Sequence, residues 1–145
     1  MNKNPLTLLT ILVAAGLLLS ACTPAATSPD LAGSSWKLVS YGPAGNQTPA
    51  ASGIPTSLTF GQDGQVSGNL GCNGFSGGYE MKGGTIVLGA LASTLMACPE
   101  PQMTQEGIAF QVLAGTLPLE LSGNTLTIHA ASADLALTLA RIENK

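Results

Sequence analysis

Few residues in this chain can carry chemistry: three cysteines, Cys22, Cys72 and Cys98, and a single histidine, His129. Cys72 sits inside a glycine-rich stretch, NLGCNGFSGGY, from Asn69 to Tyr79, where it could serve as a metal ligand, a nucleophile or one half of a cross-link. A zinc site draws on three or four ligands, and beyond the cysteines the chain offers only His129, with no CxxC or HxxxH spacing. A cysteine nucleophile wants a base beside it, and His129 is again the sole histidine. Its place next to Ile128 in an alternating stretch reads as an outward, solvated strand position. A serine triad would compete for the same single imidazole. The residues therefore give no catalytic set, no metal site and no cofactor site, and the expectation is a protein that is not an enzyme. A cross-link is the remaining role for Cys72.

Cys22 has a different setting. The N-terminus, MNKNPLTLLTILVAAGLLLSAC, holds Lys3 and then no charge until Asp30, with an apolar run from Leu6 to Leu19. A membrane-spanning helix needs about 20 apolar residues, so this run reads as the apolar part of an export signal. Its last four residues, Leu19-Ser20-Ala21-Cys22, resemble the lipobox of bacterial lipoproteins. That resemblance implies removal of residues 1–21 and attachment of diacylglycerol, and then palmitate, to Cys22. Each buried CH₂ contributes about 0.8 kcal/mol, so two or three acyl chains hold far more firmly than one. Residues 22–30, rich in Pro, Ser, Thr and Ala, form a tether that spans about 25 Å when extended. The expected location is extracytoplasmic, on the cell membrane or the outer membrane, and Thr23 after the cysteine favours the outer one by resemblance to the usual sorting preference.

With Cys22 acylated, Cys72 and Cys98 are an even pair in an oxidising compartment, and they are expected to bond. As a working expectation, Gly71, Gly74, Gly77 and Gly78 let the backbone of the turn approach the segment that carries Cys98.

The elements that must position this pair are legible from periodicity. A chain of 145 residues has room for one domain of ordinary size. From Ser34 onward apolar residues alternate: Trp36 and Leu38; Leu58 and Phe60; Val66 and Leu70; Ile86 and Leu88; Leu117, Leu119 and Leu121; Leu126 and Ile128; Leu135, Leu137 and Leu139. Alternation marks strands with one buried face. Gly61–Gly64, Gly83-Gly84 and Ser122–Asn124 separate them as hairpin turns. One segment departs from period two: Met103, Phe110 and Leu113 follow helical spacing, which predicts a helix from Glu100 to Ala114 with Met103 and Phe110 facing the core. Tyr41–Pro55 reads as a long loop. The fold class is mainly β (α+β), a small antiparallel sheet curled into a half or whole barrel with one covering helix. Five basic residues, scattered in a chain of net charge −3, exclude nucleic acid as a partner.

The stretches LAGSSWKL (31–38), GCNGFSGGY (71–79), LASTLMACPEP (91–101) and LSGNTLTI (121–128) together resemble the META domain of HslJ-like envelope proteins. The resemblance runs from Leu31 to about Arg141, within a domain placed at residues 31–142. It implies a lipocalin-like half barrel with one helix, common in bacterial lipoproteins and without an established catalytic activity. Relatives often carry a basic residue before MAC, where this chain has Leu95, and a bulkier or charged residue after GCN, where it has Gly74. Two functions follow as expectations. One is a monomeric, tethered module that contacts an envelope protein or the wall. The other is a binder of a small apolar molecule inside the curled sheet, in a pocket lined by Trp36, Phe60, Leu88 and Phe110.

Overall fold

The computed structural model describes residues 29–143. The apolar leader, Cys22 and the tether up to Ser28 lie outside the described residues. The elements in chain order are β1 (Ser34–Pro43), β2 (Thr48–Pro49), β3 (Ser57–Phe60), β4 (Gln65–Asn69), β5 (Gly74–Lys82), β6 (Thr85–Leu88), β7 (Ala92–Ser93), α1 (Gln102–Val112), β8 (Thr116–Ser122), β9 (Thr125–His129) and β10 (Leu135–Arg141). Among the described residues no helix is long and apolar enough to cross a membrane.

Antiparallel pairing runs β10-β9-β8-β6-β5-β4-β3-β1, and β1 returns to β10, so eight strands close into a complete barrel. Closure removes the exposed edges that a half barrel would leave. Tight turns keep neighbouring strands adjacent. At the β5–β6 hairpin Gly83 and Gly84 hold φ of 54° and 83°, the left-handed pair that a two-residue hairpin with the right twist requires. In β1 a register shift between Leu38 and Ser40 moves the inward series from Ser34, Trp36 and Leu38 to Tyr41. Such a bulge sharpens the bend needed for closure. The expected loop from Tyr41 to Pro55 is shorter than the turn formers suggested: β1 runs on to Pro43, and Thr48–Pro49 adds a short strand on Ser40 and Tyr41.

Alternate residues of every barrel strand fill the interior. Trp36, Leu58, Phe60, Val66, Ile86, Leu117, Leu126, Ile128, Leu137 and Leu139 are all essentially inaccessible to solvent, so the barrel is a packed core. At one end, Leu31 and Trp36 form a plug. Trp36 Nε1 donates to Ser34 Oγ at 2.7 Å, which in turn donates to the Leu31 carbonyl at 2.5 Å. The Arg141 guanidinium lies 4.5 Å over the indole ring, a cation–π contact that closes the seam between first and last strands.

The helix departs from expectation in the face it buries. Phe110 is half-buried and packs against the core as expected, but Met103 is 37% exposed, and the fully buried face carries Gln105, Glu106, Ala109 and Val112. The physical reason is at the other barrel end: the connection between β4 and β5 presents unpaired backbone polar groups, and only polar side chains can satisfy them.

Candidate functional site

Phe60 pairs with Ser34 and Val66, whereas Ser57, at the other end of β3, pairs with Asn69, which pairs with Gly74. The connection 70–73 is thus at the end opposite the Trp36 plug. Asn69 shapes it with both side-chain atoms: Oδ1 accepts from Gly71 N at 2.9 Å, and Nδ2 donates to the Cys72 carbonyl at 2.9 Å. Cys72 is bonded to Cys98, with Cα atoms 5.9 Å apart and 26 residues between them in sequence.

The glycines act differently from the expectation. A Cβ on Gly71 would lie 2.6 Å from the Gln102 carbonyl oxygen and 2.9 Å from Glu106 Cβ, so this glycine admits the first turn of α1 rather than the Cys98 segment. Gly77 makes room for Ala90 and Leu91, and Gly74 and Gly78 meet nothing closer than 3.9 Å.

Through the Gly71 approach, α1 delivers two polar side chains. Gln105 donates to the Leu70 carbonyl at 2.6 Å and accepts from Ala51 N at 2.8 Å, fastening the 44–56 connection across the barrel end. Glu106, only 4% exposed, accepts from Cys72 N at 2.8 Å and from Asn73 N through Oε2, and from Asn73 Nδ2 through Oε1 at 2.7 Å. Burial pushes this carboxyl up. The hydrogen bonds from the Asn73 side chain and from the backbone of Asn73 and Cys72 outweigh burial and hold it below its ordinary value of 4.5, because they stabilise the charged form. Asn73 passes the order on. Its Oδ1 accepts from Thr94 Oγ at 2.8 Å and from Met96 N at 2.7 Å, and its Nδ2 also reaches the Met96 carbonyl at 3.2 Å. The loop 94–98 is therefore held twice, by Asn73 and by the disulfide.

Between this loop and α1 lies a cavity of about 550 Å³, open to solvent, with Leu91, Leu95, Met96, Met103 and Phe110 as apolar wall and Asn73 and Glu106 as polar wall. Phe110 packs edge-on against Phe75 at 5.5 Å. Leu95 is 97% and Met96 55% exposed, an unusual concentration of large apolar side chains in water. On its far side the cavity is bordered by β7, which pairs with β5 along one edge and with no other strand among the described residues.

The four side chains expected to line an internal pocket separate in the structure. Trp36, Phe60 and Leu88 are barrel core, with Leu88 also edging a separate cavity of about 290 Å³ beside Tyr79 and Gly89, and Phe110 faces the cavity beside α1. His129, expected to be solvated, is half-buried: its Nε2 lies 3.6 Å from Glu120 Oε1 and is shielded from solvent without a hydrogen-bond partner. No group of three metal-ligating side chains exists among the described residues. Sequence reasoning missed Asn73, Gln105 and Glu106, and it placed Met103 on the wrong face. The one available signal was the Gln-Glu pair amid the apolar spacing of the helix.

The comparisons with known proteins fit this architecture. Residues 29–142 match the META domain. The chain belongs to the META domain family. Over 91 residues it is 31% identical to the heat shock protein HslJ of Escherichia coli K12; this covers 62% of the chain and 64% of that protein, so the match spans less than two thirds of its relative. An NMR structure of a protein from Burkholderia xenovorans superposes with a TM-score of 0.66 at 25% identity, covering 82% of this META chain and 94% of the other. A crystal structure of a DUF4847 family protein from Bacteroides vulgatus shares the fold alone, with a TM-score of 0.53 at 17% identity over 79% and 96% of the two chains.

Proposed function

We propose that this META domain protein is a non-catalytic binding module of the cell envelope, anchored to membrane lipid by acylated Cys22 and acting as a monomer through the cavity beside α1. The observation that carries the reading is the relation between two ends. The described chain begins beside the Trp36 plug, where Gly33 N donates to the Phe60 carbonyl at 2.7 Å, while Leu95, Met96 and the cavity lie at the Asn69–Gly74 end. A tether of about 25 Å then holds the plug toward the lipid and turns the apolar cavity outward, where it meets soluble partners or ligands. The name of the E. coli relative, a heat shock protein, supports a role under stress. The absence of a catalytic set in the sequence favours binding over turnover.

Two measurements test this. Cells fed an alkynyl palmitate are expected to label the wild-type protein and not Cys22→Ser, and the variant leaves the membrane fraction; equal labelling of both overturns the anchor. Photo-crosslinking in living cells from position 95 is expected to trap a specific envelope component that position 124, at the plug rim where the Asn124 carbonyl accepts from Arg141 N, does not trap. Equal yields from the two positions overturn the contact surface.

A further inference from the structure

The cavity beside α1 has an electrostatic feature that its apolar wall conceals. Glu106 is a charged carboxylate with three N–H donors and no cation within ion-pair distance; the only acid–base pairs among the described residues are Lys82 with Glu80 and His129 with Glu120. A carboxylate offers about four acceptor positions. Oε2 uses two, for Cys72 N and Asn73 N, and Oε1 uses one, for Asn73 Nδ2, leaving one on the oxygen of a residue that lines the cavity. Asn73 Oδ1 is already doubly occupied by Thr94 and Met96. The described basic side chains are elsewhere: Arg141 over Trp36, Lys82 on the β5–β6 hairpin and Lys37 on β1. None lines the cavity.

An apolar space with an unneutralised negative charge in its wall selects by sign. A carboxylate-bearing ligand meets repulsion from the Glu106 carboxylate, a neutral one gains only burial, and an ammonium gains burial together with a charge-assisted hydrogen bond. On the reading that this cavity is the binding site, we infer that its ligand is a small amphipathic amine: a hydrocarbon or aromatic body against Leu91, Met96, Met103 and Phe110, and a cationic nitrogen donating to Glu106 Oε1. A volume of about 550 Å³ is within the usual range for small-molecule sites.

The test is a titration of the ¹⁵N-labelled protein with octylamine, 1-octanol and octanoate, which share a chain and differ in head-group charge, followed by amide shifts. Octylamine is expected to shift Asn73, Met96 and Phe110 and to bind on the order of 10- to 100-fold more tightly than octanol, the ratio that one hydrogen bond to a charged group supplies. Octanoate is expected to bind more weakly than octanol. Phe110→Ala should weaken the amine and the alcohol by the same factor, while Glu106→Gln, if folded, should erase the preference for the amine. The wild-type comparison decides the matter if that variant does not fold. Equal affinities for octylamine and octanol overturn the inference and leave the cavity as an apolar site. If none of the three ligands shifts these residues, both the inference and the assignment of the cavity as the binding site fall.

Discussion

The two ends of this barrel are built from different materials. The plug end is apolar and compact, a fully buried Trp36 beneath Leu31 and Arg141. The helix end is closed by polar side chains and a disulfide that hold segments 21 to 54 residues apart, and it leaves Leu95 and Met96 pointing outward. The contrast teaches that the same small domain builds its two ends on different physical grounds. Burial of apolar area holds the first, whereas satisfied backbone groups hold the second and leave Leu95 and Met96 exposed.

Breaking the plug should have the largest effect. Trp36→Ala is expected to cost about 3–5 kcal/mol, as for buried aromatics generally, seen as a fall in the denaturation midpoint of the whole domain. Removing the cross-link with Cys72→Ser and Cys98→Ser should follow at about 3.5 kcal/mol from the chain entropy of a 26-residue loop. Amide exchange should then accelerate first in residues 94–98, with the Trp36 end still protected; uniform acceleration would erase the distinction between the ends. Next comes Glu106→Gln, which leaves a backbone N–H or amide without its acceptor and should cost about 1–3 kcal/mol. Because the folded pKa of Glu106 is lowered, its contribution is complete above the ordinary value of 4.5 and is lost as pH falls through the folded value. Wild type should therefore lose stability on acidification below pH 4.5 more steeply than Glu106→Gln, as followed by denaturant titration at a series of pH values. The smallest effect on folding belongs to Leu95→Ser, within about 0.5 kcal/mol, and this exchange should nonetheless weaken ligand binding at the cavity.

How much of this could be read beforehand also divides by end. The plug and the barrel strands obey period two, a local pattern, so Trp36, Leu58, Phe60 and Leu137 were legible as inward residues. The disulfide was legible from the even pair of cysteines left once Cys22 is read as the end of an expected export signal. The latch was not. Glu106 bonds to partners 33 and 34 residues away, and Gln105 to Leu70 at 35, so no neighbour in sequence announces their burial. An apolar stripe through Met103 misled for the same reason: the helix turns toward backbone groups that need acceptors and donors, and that need comes from a distant turn. Even the whole closure of the barrel rests on a pairing of the first and last strands that periodicity does not encode.

That first-to-last pairing has a practical corollary. Trp36 lies opposite Arg141, and Ile142 N donates to the Ser35 carbonyl at 2.7 Å, so the folded segment is entered and left at a single rim. A fluorophore or affinity handle grafted after Ile142 would ride on the far pole from Leu95, leaving the cavity unshaded, and a permutant spliced there and reopened at Gly83-Gly84 should still assemble.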